Sequence, residues 1–214
     1  MAEYSSDEER FSAFVNFFKD HKNTLVIGFL LLAFTLIFSI SYKSYSSSQN
    51  IKAAEIYDAW FVGLSNESAS KLDNKEHFDK LQGDYPNTGY AQLARMIRGS
   101  SFAREGDLDA ALVDFQQLLD VTSGFFGNDM LNSIAKINIA RIELSKQNFS
   151  SALAVLESFN SESEQPLVYE VKGDALVGLE KNDLALDQYS LALENSQNES
   201  QKSLLKMKIN KITN

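Results

Sequence analysis

The chain contains no cysteine. Disulfides, thiolate metal sites and cysteine nucleophiles are thereby excluded, and the redox character of the compartment is left open. Only two prolines, Pro86 and Pro166, and ten glycines punctuate its 214 residues. No alternation of apolar and polar residues is sustained, so the portion outside the membrane reads as all helix. Histidine is scarce too, with His21 just ahead of the long apolar run, between Asp20 and Lys22, and His77 among Lys75, Glu76 and Asp79. Neither has a second ligand four residues on. There is no H-E-x-x-H, no nucleophile elbow and no glycine-rich loop to cradle phosphate. The close carboxylates Asp107 and Asp109, or Glu162 and Glu164, read as solvated turns. No catalytic residue, cofactor or metal is expected. The triplets beginning at Asn66, Asn148 and Asn198 fit the glycosylation pattern, as chance allows in an Asn- and Ser-rich chain.

Positive charge is in deficit. Twenty Lys and Arg face 29 Asp and Glu, a net charge of −9. From Lys43 onward there are 17 bases and 24 acids. A nucleic-acid partner would select a basic stripe, and a net negative charge argues against one.

One long apolar run is present. Thr24–Tyr42, TLVIGFLLLAFTLIFSISY, is 19 residues without a charge. A helix crossing the hydrocarbon core needs about 20 such residues. A buried core helix is the poorer reading, because nothing else in the chain is apolar on all faces. A cleaved leader would have a shorter apolar region and a small-x-small site. Ser39-Ile40-Ser41-Tyr42-Lys43-Ser44-Tyr45 offers no such site, so an uncleaved signal anchor is expected. The span divides the chain into a tail, 1–23, a transmembrane helix, 24–42, a Ser-rich neck, 43–50, and a helical domain, 51–214. The neck reads either as a flexible linker or as a continuation of the span.

In the tail, Ser6 and Glu9 have capping-box spacing. Phe11, Phe14, Val15, Phe17 and Phe18 make one apolar face, suited to a helix lying in the headgroup layer or to an outward extension of the span. Arg10, Lys19 and Lys22 precede the span, while Lys43 and Lys52 follow it. Three against two favours a cytoplasmic amino terminus only slightly.

In the helical domain, Ala53, Ile56, Tyr57, Trp60, Phe61 and Leu64 recur at helical spacing. The spacing predicts a helix over 51–64, a break at Ser65-Asn66, and a second helix over 74–82 with Phe78 and Leu81 inward. Asp84–Gly89 is a turn cluster. The chain then repeats. Gly99, Phe102, Ala111, Phe115 and Leu118 are spaced as are Gly173, Leu176, Ala185, Tyr189 and Ala192. Ala140, Glu143, Ala152, Leu156 and Phe159 give a third copy, with Glu143 the poor fit. A small residue on the first helix admits the second, an Ala meets it, and a large residue four later fills the gap. This resembles the tetratricopeptide repeat, with its G-x-x-Y … A-x-x-x-F core. The period is 33 residues from Ala152 to Ala185 and 41 from Ala111 to Ala152, the excess falling at an insertion around Gly124-Phe125-Phe126-Gly127. Pro166 opens the third copy, where its missing N–H costs nothing. A helical bundle with coincidental spacing is the alternative.

Such repeats bury their faces only against neighbours and need caps. Gln201–Ile212 is expected to be one, with Leu204, Leu205, Met207, Ile209 and Ile212 inward and Lys202, Lys206, Lys208 and Lys211 outward. What remains is a binding surface. A stack of helix pairs curves, and the repeat register assigns its concave side to Met96, Ser100 and Arg104, Ile137 and Arg141, and Glu170, Asp174 and Val177. An ordinary solvated helix face is the alternative for each.

Three segments carry a second resemblance. They are Phe17–Asn23 ahead of a Gly28-containing span, Tyr85–Ala94 at the approach to the first repeat, and Met207–Asn210 near the end. In order and size the whole layout is similar to the ancillary SecYEG translocon subunit family (YfgM-like). The resemblance implies an all-α protein of the bacterial inner membrane, with one amino-terminal transmembrane helix and a tetratricopeptide-repeat-like α-solenoid. It also implies a cytoplasmic amino terminus and a periplasmic repeat domain. The expected partners are the SecYEG translocon, a membrane-anchored periplasmic chaperone of the peptidyl-prolyl isomerase type, and translocated polypeptide clients passed to chaperones. The alternative is a membrane-anchored scaffold for an envelope complex unrelated to secretion, and a third reading is a cytoplasm-facing adaptor.

Overall fold

The structure is a computed structural model that describes residues 7–65, 71–124, 127–157, 159 and 165–213. All ten elements among the described residues are α-helices. They are α1 (Asp7–Asp20), α2 (Lys22–Ser65), α3 (Lys71–Asp84), α4 (Gly89–Glu105), α5 (Leu108–Thr122), α6 (Asp129–Ser145), α7 (Phe149–Glu157), α8 (Pro166–Gly178), α9 (Asn182–Asn195) and α10 (Glu199–Thr213). The expected cap at Ser6, the break at Asn66, the phenylalanines Phe125 and Phe126 and the acidic pair Glu162/Glu164 lie outside the described residues. Two units divide the chain, residues 1–52 and Ala53–Asn214.

The first unit holds α1 and most of α2. The residues read as a neck, 43–50, lie within α2, which runs unbroken to Ser65. The backbone ladder also passes through His21, whose N–H donates to the Phe17 carbonyl (3.0 Å) and whose carbonyl accepts from Leu25 (2.9 Å). From Leu25 to Ile40 the large apolar side chains stand exposed around the whole helix. This helix is long and apolar enough to cross a membrane. Its one polar side chain at mid-span, Thr35, donates back to the Leu31 carbonyl at 2.7 Å, which satisfies the hydroxyl without a neighbour.

In the second unit the helices pair in chain order, and each core cluster bridges successive helices. Ala53, Trp60, Phe78, Leu81, Ala91 and Ala94 join the end of α2 to α3 and α4. Ala111, Phe115, Leu118, Ala135, Ile139 and Ile142 join α5 to α6. Ile137, Ala140, Ala152, Leu156, Val168, Val171 and Ala175 join α6, α7 and α8. Leu176, Ala185, Tyr189, Ala192 and Leu205 join α8, α9 and α10. No single core dominates. Burying each large side chain contributes about 1.5–3 kcal/mol, and each contribution depends on the adjoining pair.

The close approach read from the repeat is present. A methyl group on Gly99 would sit 3.1 Å from the Asp114 Cβ and 3.2 Å from the Phe115 ring. On Gly173 it would overlap the Tyr189 ring. The turns inside the three pairs share one geometry. The amides of Asp107, Asn148 and Lys181 donate to the carbonyls of Phe102, Glu143 and Leu176 at 2.9, 2.8 and 2.9 Å. The residue before each is left-handed: Gly106 (φ 86°), Gln147 (φ 61°) and Glu180 (φ 60°). This is the Schellman end. Glu143 fits the repeat through its backbone carbonyl rather than its side chain, which accepts from Asn148 Nδ2 at 2.8 Å.

Of the residues at helical spacing at the end of α2, Ala53 and Trp60 are buried and Ile56 and Tyr57 pack against them, while Phe61 and Leu64 are exposed. Two expectations about α10 are corrected. On α10, Leu205 is buried and Ile209 and Ile212 pack inward, but Leu204 and Met207 are exposed. Lys208, expected outward, turns inward to the acids of α8. Opposite charge draws it there.

Candidate partner-binding face

The first helices of the pairs, α4, α6 and α8, present one register of side chains. On α4, Met96 is half-buried against the α5–α6 core and Ser100 donates to its carbonyl at 2.8 Å. Arg104 is exposed in the last turn. On α6, Ile137 is buried in the core. It forms the floor of a cleft of about 320 Å³ whose walls include Met130, Ser133, Ile134 and Gln165. Arg141, one turn on from Ile137, is exposed.

On α8, Glu170 and Asp174 are engaged by α10. Lys208 Nζ donates to Glu170 Oε1 at 2.8 Å and to both Asp174 oxygens at 2.7 and 2.8 Å. Gln201 Nε2 donates to Glu170 Oε2 at 3.1 Å. The Tyr189 hydroxyl donates to Asp174 Oδ1 at 2.8 Å, and Lys208 lies 5.6 Å from the centre of the Tyr189 ring. Burial alone would raise the Glu170 carboxyl. The hydrogen bonds from Lys208 and Gln201, with the positive charges of Lys208 and Arg141, outweigh it and hold the group below its ordinary value. Burial, followed by the bond to Asp174, pushes the Tyr189 phenol well above its ordinary range. Val177 is partly exposed beside Asp174, Asn182, Lys208 and Lys211 around a cleft of about 390 Å³.

The structure therefore gathers Arg141, Glu170 and Asp174 into one charged group and adds Lys208 and Tyr189, which the repeat reading did not include. Its signal was present, because Lys208 follows Asp174 by 34 residues, about one repeat period. Arg104 stands apart from this group. Met130 and Ile134, also not anticipated, supply the apolar stretch. The result is an apolar cleft with one acid, Asp129, around Ile137 and a charged group around Glu170, Asp174 and Lys208. It can hold side chains by contact and by hydrogen bonds. Among the described residues, no three His, Asp or Glu side chains gather to hold a metal.

Paired helices with shared turns, close small-residue contacts and a core passed from pair to pair define a tetratricopeptide-repeat-like protein. The family model of the tetratricopeptide repeat-like domain matches residues 16–214, and the chain belongs to that family. It is also similar over its whole length to curated proteins named ancillary SecYEG translocon subunit. The relative from Escherichia coli (strain K12) is 22% identical, with all of both chains aligned. The one from Neisseria gonorrhoeae is 26% identical over 99% of this chain and all of the relative. A third, from Buchnera aphidicola, is 22% identical over 87% of this chain and 92% of the relative.

Proposed function

We propose that this chain is a non-enzymatic ancillary subunit of the Sec protein translocon, anchored in the bacterial inner membrane by one crossing at 24–42. The observation that carries the reading is the joining, in one chain, of an apolar helix exposed on every side to a helical-repeat unit. End-to-end similarity to proteins of that name supports it. In this reading the tail, 1–23, is cytoplasmic and the repeat unit, 51–214, is periplasmic. The face carrying Met96, Ser100, Arg104, Ile137, Arg141, Glu170, Asp174 and Val177 meets partners: SecYEG, a membrane-anchored chaperone of the peptidyl-prolyl isomerase type, and translocated chains on their way to periplasmic chaperones. No bond is made or broken. Anchoring supplies the effect, because confinement beside the translocon raises the local concentration of a weak binder.

Affinity purification of the full chain in mild detergent tests the reading. Co-purification of translocon subunits, lost when Arg141 and Met96 are replaced together by Glu, is expected. Recovery of an envelope complex without any translocon subunit would replace this function with that of a general scaffold. A reporter active on only one side of the membrane, fused after Asn214, should score periplasmic; a cytoplasmic score would overturn the orientation.

A further inference from the structure

The three first helices carry Gly99, Ala140 and Gly173 where the second helix of each pair packs against them. One period beyond Gly173 stands Met207 on α10. The alignment is fixed by geometry, since the following residues, Asp174 and Lys208, bond to each other across the α8–α10 contact. Thus α10 has the place of a fourth first helix. It buries Leu205 against the third pair. On the side where its counterparts receive a second helix, Met207 is 68% exposed, and next to it Leu204, at the position that Glu170 has on α8, is 44% exposed. A methionine there cannot admit a helix as closely as glycine does, but it offers a soft apolar contact. Charge on α10 runs against that of the chain. It holds four lysines and one acid, Glu199. Lys202 pairs with Glu199 and Lys208 with α8. Lys206 and Lys211 are exposed and have no ion pair among the described residues.

We infer that the Leu204–Met207 face of α10 is a docking site for an acidic amphipathic helix of another protein. The apolar stripe takes the partner's leucine-like side chains. Lys206, beside the stripe, and Lys211, one turn beyond Met207 along it, take its carboxylates. The site adjoins the α4–α6–α8 face, because Lys211 lines the same cleft as Asp174 and Val177, and Met207 and Lys206 distinguish it from that face.

The test uses the full chain in phosphatidylcholine nanodiscs. The probes are two synthetic amphipathic helical peptides of equal apolar content, one flanked by glutamates and one by lysines. The acidic peptide should bind. Met207→Asp, and separately Lys206→Glu with Lys211→Glu, should each weaken it about tenfold, while Lys80→Glu on α3 leaves it unchanged. Because the charge reversals are at exposed positions, they decide the matter even if Met207→Asp disturbs folding. Equal binding of the two peptides, no binding, or binding indifferent to the α10 variants would overturn the inference. In cells, a photo-crosslinker at Met207 should capture a different protein through an acidic helical segment. Adducts only to a second copy of this chain, or none, would overturn it as well.

Discussion

Arg98 and Asp114 form a forked ion pair between α4 and α5, with Nε to Oδ2 at 2.8 Å and Nη2 to Oδ1 at 2.6 Å. Asp114 is 1% exposed. The same guanidinium lies 3.4 Å from the centre of the Phe78 ring on α3. One side chain thus ties three successive helices together. Its neighbour Arg95 is buried and donates to Gln82 Oε1 at 3.1 and 2.6 Å. Burial lowers the pKa of Arg95, against the opposing pull of Asp114.

Removing one member of the Arg98–Asp114 pair strands the other. Arg98→Ala should destabilise the second unit by about 3–5 kcal/mol, the cost of an uncompensated buried charge. Asp114→Ala should also be costly, because it leaves Arg95 and Arg98 side by side without their shared anion. Replacing both should cost less than the sum of the two. Chemical unfolding of the full chain, followed by circular dichroism in a double-mutant cycle, reads the coupling. Strict additivity would show that the fork contributes nothing beyond packing.

The three left-handed turn positions make an internal comparison. Only Gly106 has the residue that this conformation favours; Gln147 and Glu180 carry a Cβ at φ near 60°. Gln147→Gly and Glu180→Gly should each stabilise, by up to about 1 kcal/mol, and Gly106→Ala should destabilise by a similar amount. The gain is reduced by the larger entropy of glycine in the unfolded chain. Melting temperatures of the three variants give the signs.

Glycines within helices should respond by the room each has. Gly173→Ala drives a methyl into the Tyr189 ring and should cost about 1–3 kcal/mol through overpacking. A methyl group on Gly83 in α3 would meet nothing within 4 Å, so Gly83→Ala should stabilise by about 1 kcal/mol through helix propensity. Unfolding midpoints in denaturant separate the two. If both changes stabilise, the α8–α9 contact is looser than described.

The docking of α10 should depend on pH. Glu170 has a folded pKa below its ordinary value of 4.5. A depressed carboxylate contributes stability that is fully present above the unfolded value and is lost as pH falls through the folded one. Tyr189 is raised above its ordinary 10.0, so its contribution is present below pH 10 and is lost as pH rises beyond it. Hydrogen-exchange protection of α10 should therefore hold from about pH 5 to about pH 10 and decline outside that window. Glu170→Gln should flatten the acid limb. An unchanged acid limb in that variant would assign the effect to other carboxylates.

How much of this was legible in the sequence varies by residue. The charge-free run Thr24–Tyr42 fixes an apolar helix, because composition alone decides whether a helix can sit in hydrocarbon. The spacing of Gly99 with Phe115, and of Gly173 with Tyr189, shows the paired helices, because close packing demands a small residue opposite a large one. Local pattern stops there. Nothing near Arg98 in the chain marks Asp114 as its partner, since the two meet only after α4 and α5 pack. Periodicity placed Met207 inside and Lys208 outside. Tertiary structure reversed them, because α10 packs on the third pair through Leu205, Ile209 and Ile212 and because Glu170 and Asp174 draw the ammonium inward. Helices and their pairing are short-range matters of side-chain size and polarity, which a sequence states directly. Which charges meet, and which face of the last helix stays open, depend on contacts between residues 16, 34 or 38 positions apart, and only the folded chain brings those together.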